Sequence, residues 1–156
     1  MAALDECLAA VTLTKSATEA KDWPNVQRLA RRELELCNAS KLPAYMRANS
    51  YSRLANAQFK LERYADALKA ADDCVTMYYR SPTCHYLRYT SLVMLGRVDD
   101  ALKEMQVARS VSNQILKEAL TPSAVPIYQD WLQNAKQMAR FVLKEISDEP
   151  ESPRKK

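Results

Sequence analysis

A chain of 156 residues with 47% apolar residues is long enough for one domain with a substantial core. A single glycine excludes a phosphate-cradling loop and a dinucleotide fingerprint, and a single histidine excludes a paired-histidine zinc helix. The net charge of +4 is dispersed among acids, with only Arg31-Arg32 and Arg154-Lys155-Lys156 adjacent, which weighs against a nucleic-acid surface.

The first residues, Met1 to Cys7, carry Asp5 and Glu6 where a targeting leader would be basic. No apolar run approaches the roughly 20 residues needed to span a bilayer. The expectation is a protein without a membrane segment, in the cytoplasm or, as the alternative, the nucleus. From Ala2 to Ala20 the positions Leu4, Leu8, Val11 and Ala17 predict an amphipathic helix with its acids in the first turn. Asp22-Trp23-Pro24 marks a turn, Pro24 being suited to the first turn of a helix. Val26, Leu29, Ala30, Leu34 and Leu36 then predict a second helix. Residues 7–37 are read as one helical pair, followed by a link, Cys37 to Pro43, longer than a strict repeat would allow.

Between Ala48 and Val111 a phrase recurs. Leu61-Glu62-Arg63-Tyr64-Ala65-Asp66-Ala67-Leu68-Lys69 returns as Leu95-Gly96-Arg97-Val98-Asp99-Asp100-Ala101-Leu102-Lys103, an offset of 34 residues. A fixed period of this length implies one supersecondary unit stacked on copies of itself. Tyr51, Leu54, Ala55, Phe59 and Leu61 fall at helical spacing, a break follows at Glu62-Arg63, and Tyr64, Ala67, Leu68, Ala71, Val75 and Tyr78 begin a second stripe. The next unit repeats this through Tyr86, Tyr89, Leu92 and Val93, a turn at Gly96, and Val98, Ala101, Leu102, Met105, Ala108 and Val111. Small residues at Ala55, Ala67, Ala71 and Ala101 allow close helix approach. One such hairpin cannot bury its own apolar face, so neighbours must stack.

These residues resemble the tetratricopeptide repeat. Tyr51, Leu54-Ala55, Tyr64 and Ala67 match its pattern in one copy, and Gly96, Ala101 and Ala108 in the next. Glu62 replaces the turn glycine, Cys74 replaces a small residue, and Pro82 falls a few residues late. The resemblance implies an all-α, right-handed solenoid of about three repeats, at 7–37, 48–81 and 82–115. It also implies a concave groove formed by the first helix of each hairpin. Some members clamp the acidic carboxyl terminus of large chaperones with Lys, Asn and Arg. At the matching places this chain has Val11, Lys15, Arg53, Thr83 and Leu87, of which Lys15 and Arg53 keep the positive charge.

After Val111 the helix is expected to reach Leu120, since no breaker precedes Thr121-Pro122. A closing helix over 124–146 follows, with Ile127, Trp131, Leu132, Ala135, Met138, Ala139, Val142 and Ile146 on one side. It would cover the last hairpin, as a solenoid requires. Residues 147–156 are charged, contain two prolines and lack large apolar groups, so they are expected to be disordered. Within them Ser152-Pro153-Arg154-Lys155 makes Ser152 a candidate phosphorylation site, the alternative being a plain solubilising end.

No catalytic constellation emerges. Asp72-Asp73 and Asp99-Asp100 are sequence neighbours, so on helices they diverge. His85 sits where an aromatic is expected and reads as packing. Cys7, Cys37, Cys74 and Cys84 show no C-x-x-C spacing and are expected to be reduced thiols inside helices. No cofactor or metal is implied. The remaining feature is the inner wall, where Asn49, Arg53, Asn56 and Lys60, with Lys15, Tyr86 and Thr90, would give a basic, hydrogen-bonding floor between apolar walls. Such a groove suits an extended protein segment or an acidic chain terminus; an ordinary solvated face is the plain alternative. Two readings therefore stand: a non-enzymatic adaptor, possible co-chaperone chemistry included, or a structural subunit seated through its outer helices and through Tyr128 or Trp131.

Overall fold

Three helical hairpins and a closing helix succeed one another along the chain, and the computed structural model describes residues 2–148. The first hairpin pairs α1 (Ala2–Glu19) with α2 (Trp23–Asn38), and the second pairs α3 (Ala44–Lys60) with α4 (Tyr64–Met77). The third pairs α5 (Pro82–Met94) with α6 (Val98–Glu118), and α7 (Pro126–Asp148) closes the array. Each helix packs on the next, while α7 touches α5 as well as α6. Among the described residues there is no strand, and the fold is an all-α helical repeat array.

All three hairpins turn the same way for the same reason. Lys21, Glu62 and Gly96 follow the first helix of their hairpins and are left-handed, with φ of 56°, 61° and 74°. In each turn two backbone amides return to the helix. Lys21 and Asp22 donate to the carbonyls of Thr18 and Ala17, Glu62 and Arg63 to Phe59 and Gln58, Gly96 and Arg97 to Val93 and Leu92. This is the Schellman arrangement, which satisfies orphan carbonyls at a helix end and favours glycine at the left-handed residue. Only the third turn has that glycine.

The spacing from Glu62 to Gly96 is the period, 34 residues, whereas Lys21 to Glu62 is seven longer. The link between α2 and α3, expected to hold the surplus, is residues 39–43 and only one residue longer than the link at 78–81. The rest lies in the helices: α2 has 16 residues against 14 in α4, and α3 has 17 against 13 in α5. Extending α3 back to Ala44 places Tyr45 on a helix. Pro43, immediately before that helix, accepts amide hydrogen bonds from Met46 and Arg47 through its carbonyl.

The core is built largely from small residues. Ala30, Leu54, Ala55, Ala70, Ala71 and Leu87 join α2, α3, α4 and α5. Ala67 and Ala101 are buried, as their repeat positions require. At the closing end Trp131, Leu132, Ala135 and Ala139 of α7 pack on Ile115 of α6, so Trp131 faces that helix as its stripe predicts. Ile127, expected on the same side, is exposed, because it lies in the first turn of α7 before the helix meets its neighbour.

The cysteines are not free thiols. Cys7 is bonded to Cys37 and Cys74 to Cys84. Folding α2 back on α1 brings residues 30 apart to a Cα separation of 4.7 Å, and the turn from α4 into α5 brings residues 10 apart to 5.5 Å. A hairpin needs no short cysteine spacing to pair its sulfurs. All four cysteines are buried.

Candidate functional site: the concave groove

A concavity of about 540 Å³ opens where α1, α3, α5 and α7 converge. Ser52, Arg53, Asn56, Phe59 and Lys60 line it from α3, and Thr83, Tyr86, Leu87 and Thr90 from α5. Thr18 is supplied by α1, and Met138, Phe141 and Glu145 come from α7. Of the residues singled out from sequence, Arg53, Asn56, Lys60, Tyr86 and Thr90 meet here. Lys15 is exposed and Asn49 half-buried, and neither lines this cavity. The segment bearing Ser152 lies outside the described residues.

The floor is not basic in the expected way. Arg53 reaches from α3 to Glu33 on α2, with its Nε 3.0 Å from Oε1 and its Nη2 2.6 Å from Oε2. The Ser50 hydroxyl donates to the same carboxylate. Glu33 is fully buried, and a buried carboxylate must be paired and hydrogen-bonded to be tolerated. Arg53 therefore holds two helices together as much as it faces the groove. Glu33 was missed in the sequence because a carboxylate reads as surface, although it falls at helical spacing with the buried Val26, Ala30 and Cys37. Lys60 stands with its Nζ 5.9 Å from the centroid of the Trp23 ring.

The apolar side was also wider than its sequence signal. Phe59, Met138 and Phe141 join Tyr86 and Leu87, and Phe141 stacks edge-on against Tyr86 at 5.4 Å. Met138, Phe141 and Glu145 recur at three and four residues on α7, beside the stripe that packs on α6. Met138 reads from sequence as part of the packing stripe, and Phe141 and Glu145 join it in the groove only because α7 packs on α5 and α6.

Away from the groove, polar networks brace the array. His85 is buried, with Nδ1 2.5 Å from the Glu104 carboxylate and Nε2 2.6 Å from the Tyr79 carbonyl, and Tyr79 packs edge-on against its ring. Arg88 bonds both Glu104 and Asp72, tying α5 to α6 and α4. Burial alone would lower the Arg88 pKa, and the hydrogen bonds to Asp72 and Glu104 outweigh it and raise it. Packing, as read from sequence, describes His85.

The closing helix is fastened at its start. Arg80 donates to both Glu118 oxygens, at 3.1 and 2.9 Å, and to the Tyr128 hydroxyl at 3.1 Å. The hydrogen bond from Arg80 holds the Glu118 carboxyl below the ordinary range, while burial pushes the Tyr128 phenol up. Tyr45, Tyr78, Tyr128 and Trp131 form an aromatic cluster beside it, with centroids 5.2–6.0 Å apart. Trp131 is 8% exposed, so it serves this internal joint and offers little surface to another chain.

Three stacked hairpins with equivalent turns, a closing helix and an inner groove decide the architecture. The fold is that of a tetratricopeptide-repeat solenoid. The TPR2B domain of yeast Sti1, solved as a complex with pHsp70, superposes with a TM-score of 0.64 over 87% of this chain and 97% of its own, at 15% identity. PcrH in complex with the chaperone binding region of PopD gives 0.62 over 90% and 93%, at 18% identity. The TPR domain of Arabidopsis OM64 gives 0.59 over 95% and 99%, at 14% identity. No protein-family model matches the chain, and no curated protein sequence matches it. Among the described residues no helix is long and apolar enough to cross a membrane.

Proposed function

We propose that this chain is a non-enzymatic interaction adaptor that holds an extended segment of another protein in its concave groove. The observation that carries the reading is the groove itself, about 540 Å³ with hydroxyl and amide groups beside an apolar wall. A strand-like segment needs both: main-chain hydrogen bonds for binding and pockets for alternate side chains. The likeness to a Sti1 domain complexed with pHsp70, and to PcrH complexed with a region of PopD, supports a protein partner and a co-chaperone-like role. The experiment is site-specific photocrosslinking, with a photoreactive residue at Thr90 inside the groove or at Lys69, whose side chain is 79% exposed on α4. A protein adduct at Thr90 and none at Lys69 supports the adaptor. Adducts only at Lys69 would transfer the function to the outer helices, the structural-subunit reading.

The paired cysteines bear on where this happens. Buried disulfides form in oxidising surroundings and are uncommon in a reduced cytosol. They favour an oxidising compartment over the cytoplasm or nucleus expected from the first residues.

A further inference from the structure

We infer that the groove selects an extended segment with one large apolar side chain flanked by an acidic and a basic residue, rather than an acidic chain terminus. This rests on the adaptor reading and narrows it.

The charges decide against the acidic terminus. A carboxylate-rich end needs several cations free to form charge-assisted bonds. The groove contains Arg53, Lys60 and Glu145. Arg53 is committed to the buried Glu33, and breaking that pair would leave a carboxylate with no cation in the interior. Among the described residues neither Lys60 nor Glu145 has a partner of opposite charge within ion-pair distance. One cation and one anion therefore remain to be answered, so a second acid on the ligand would meet Glu145 unfavourably.

The apolar wall names the anchor. Phe59, Tyr86, Leu87, Met138 and Phe141 surround the cavity, and Phe141 is 43% exposed although it belongs to the closing helix. An occupying side chain would remove that ring from water, and the flexible Met138 can adapt to its shape. The hydroxyls of Ser52 and Thr90 already donate to the carbonyls of Asn49 and Leu87. Their lone pairs are left to accept amide N–H groups of an extended backbone, and Asn56 brings both a donor and acceptors.

Fluorescence anisotropy with defined peptides tests the inference. Two labelled, amide-capped probes are used, Ser-Asp-Ser-Ser-Phe-Ser-Arg-Ser and the same peptide with Asp and Arg exchanged. The competitor probe is Ser-Ser-Glu-Glu-Ala-Asp with a free carboxyl terminus. One apolar probe should bind at least about tenfold tighter than the acidic one, and Phe141→Ala should weaken it about tenfold. Lys60→Glu should weaken it about threefold, regained when the peptide acid is replaced by Lys. Equal or tighter binding of the acidic probe overturns the selectivity and leaves the adaptor reading standing. Binding of an apolar probe that ignores both substitutions overturns the assignment to this groove. Binding of no probe overturns the inference together with the peptide-holding function.

Discussion

The Arg53 guanidinium lies against a carboxylate with no exposure to water: its Nη2 is 2.6 Å from Oε2 of Glu33. The two residues belong to successive hairpins, so the pair fastens the first repeat to the second. Arg53→Ala should destabilise the fold by about 3 kcal/mol, because it strands a buried charge. Replacing both members by Met should cost less than the sum of the single changes, since neither is then left alone. Urea unfolding of Arg53→Ala, of Arg53→Met and Glu33→Met singly, and of the double Met variant measures this. Additive losses would show that the pair is not coupled.

The three left-handed turns give the opposite sign. Glu62 and Lys21 adopt a backbone that costs a side-chain-bearing residue about 1 kcal/mol or more, and glycine adopts it freely. Glu62→Gly should stabilise by up to about 1 kcal/mol. Gly96→Ala should destabilise by a similar amount, although its Cβ would meet nothing within 4 Å. Steric space does not decide this; the torsion does. Thermal melting of both variants, moving in opposite directions, is the expected outcome.

Packing at the repeat joints is tight enough to test by enlargement. Ala101 is 3% exposed and shares a cluster with Tyr89 and Leu92. Ala101→Leu should cost about 1–3 kcal/mol through overpacking. Unchanged stability in a melting experiment would place Ala101 at a yielding surface instead.

How far these features could be read beforehand follows from the physics of each. Period and stripe spacing reported the hairpins, because stacking demands the same apolar positions in every copy. The turn at Glu62 was located although it lacks glycine, since the break in periodicity marks a turn whatever its residue. The groove was half legible: Asn56, Lys60, Tyr86 and Thr90 share faces set by helical spacing alone. Phe141 and Glu145 reach it only because α7 packs on α5 and α6, a tertiary fact. The same holds for Glu33, whose burial depends on where α3 lands, and for Cys7 and Cys37, which meet only when the hairpin closes.

Acid should loosen the closing helix. Arg80 keeps the Glu118 carboxyl below its ordinary value, so its folded pKa is lower than its unfolded one. Stability from this group is complete above the unfolded carboxylate value, about 4.3, and is lost as pH falls through the lower folded value. In a Trp23→Phe background, Trp131 alone reports the joint by fluorescence. Lowering the pH from about 5 toward 3 should weaken this chain more than its Glu118→Gln variant. Parallel acid profiles would show that Glu118 makes no contribution to the acid response.

The Cys74–Cys84 bond should matter beyond its own neighbourhood. It brackets the link that carries Tyr78 and Arg80, and both grip the closing helix or its neighbour: Tyr78 packs edge-on against Trp131 at 5.3 Å, and Arg80 holds Glu118 and Tyr128. The far end of that helix supplies Met138, Phe141 and Glu145 to the groove. Closing a loop between residues 10 apart restricts the unfolded chain by about 2–3 kcal/mol. The Cys7–Cys37 bond closes 30 residues and should contribute about 3–4 kcal/mol, all of it within the first hairpin. Paired Ser substitutions at 74 and 84 should therefore lower stability less than those at 7 and 37. They should nevertheless shift Trp131 fluorescence more, because only they release the grip on α7. Intact mass with and without reductant first establishes that both bonds are present, through the gain of four hydrogens. A larger Trp131 response from the Cys7 and Cys37 pair would break the proposed connection between this link and the closing helix.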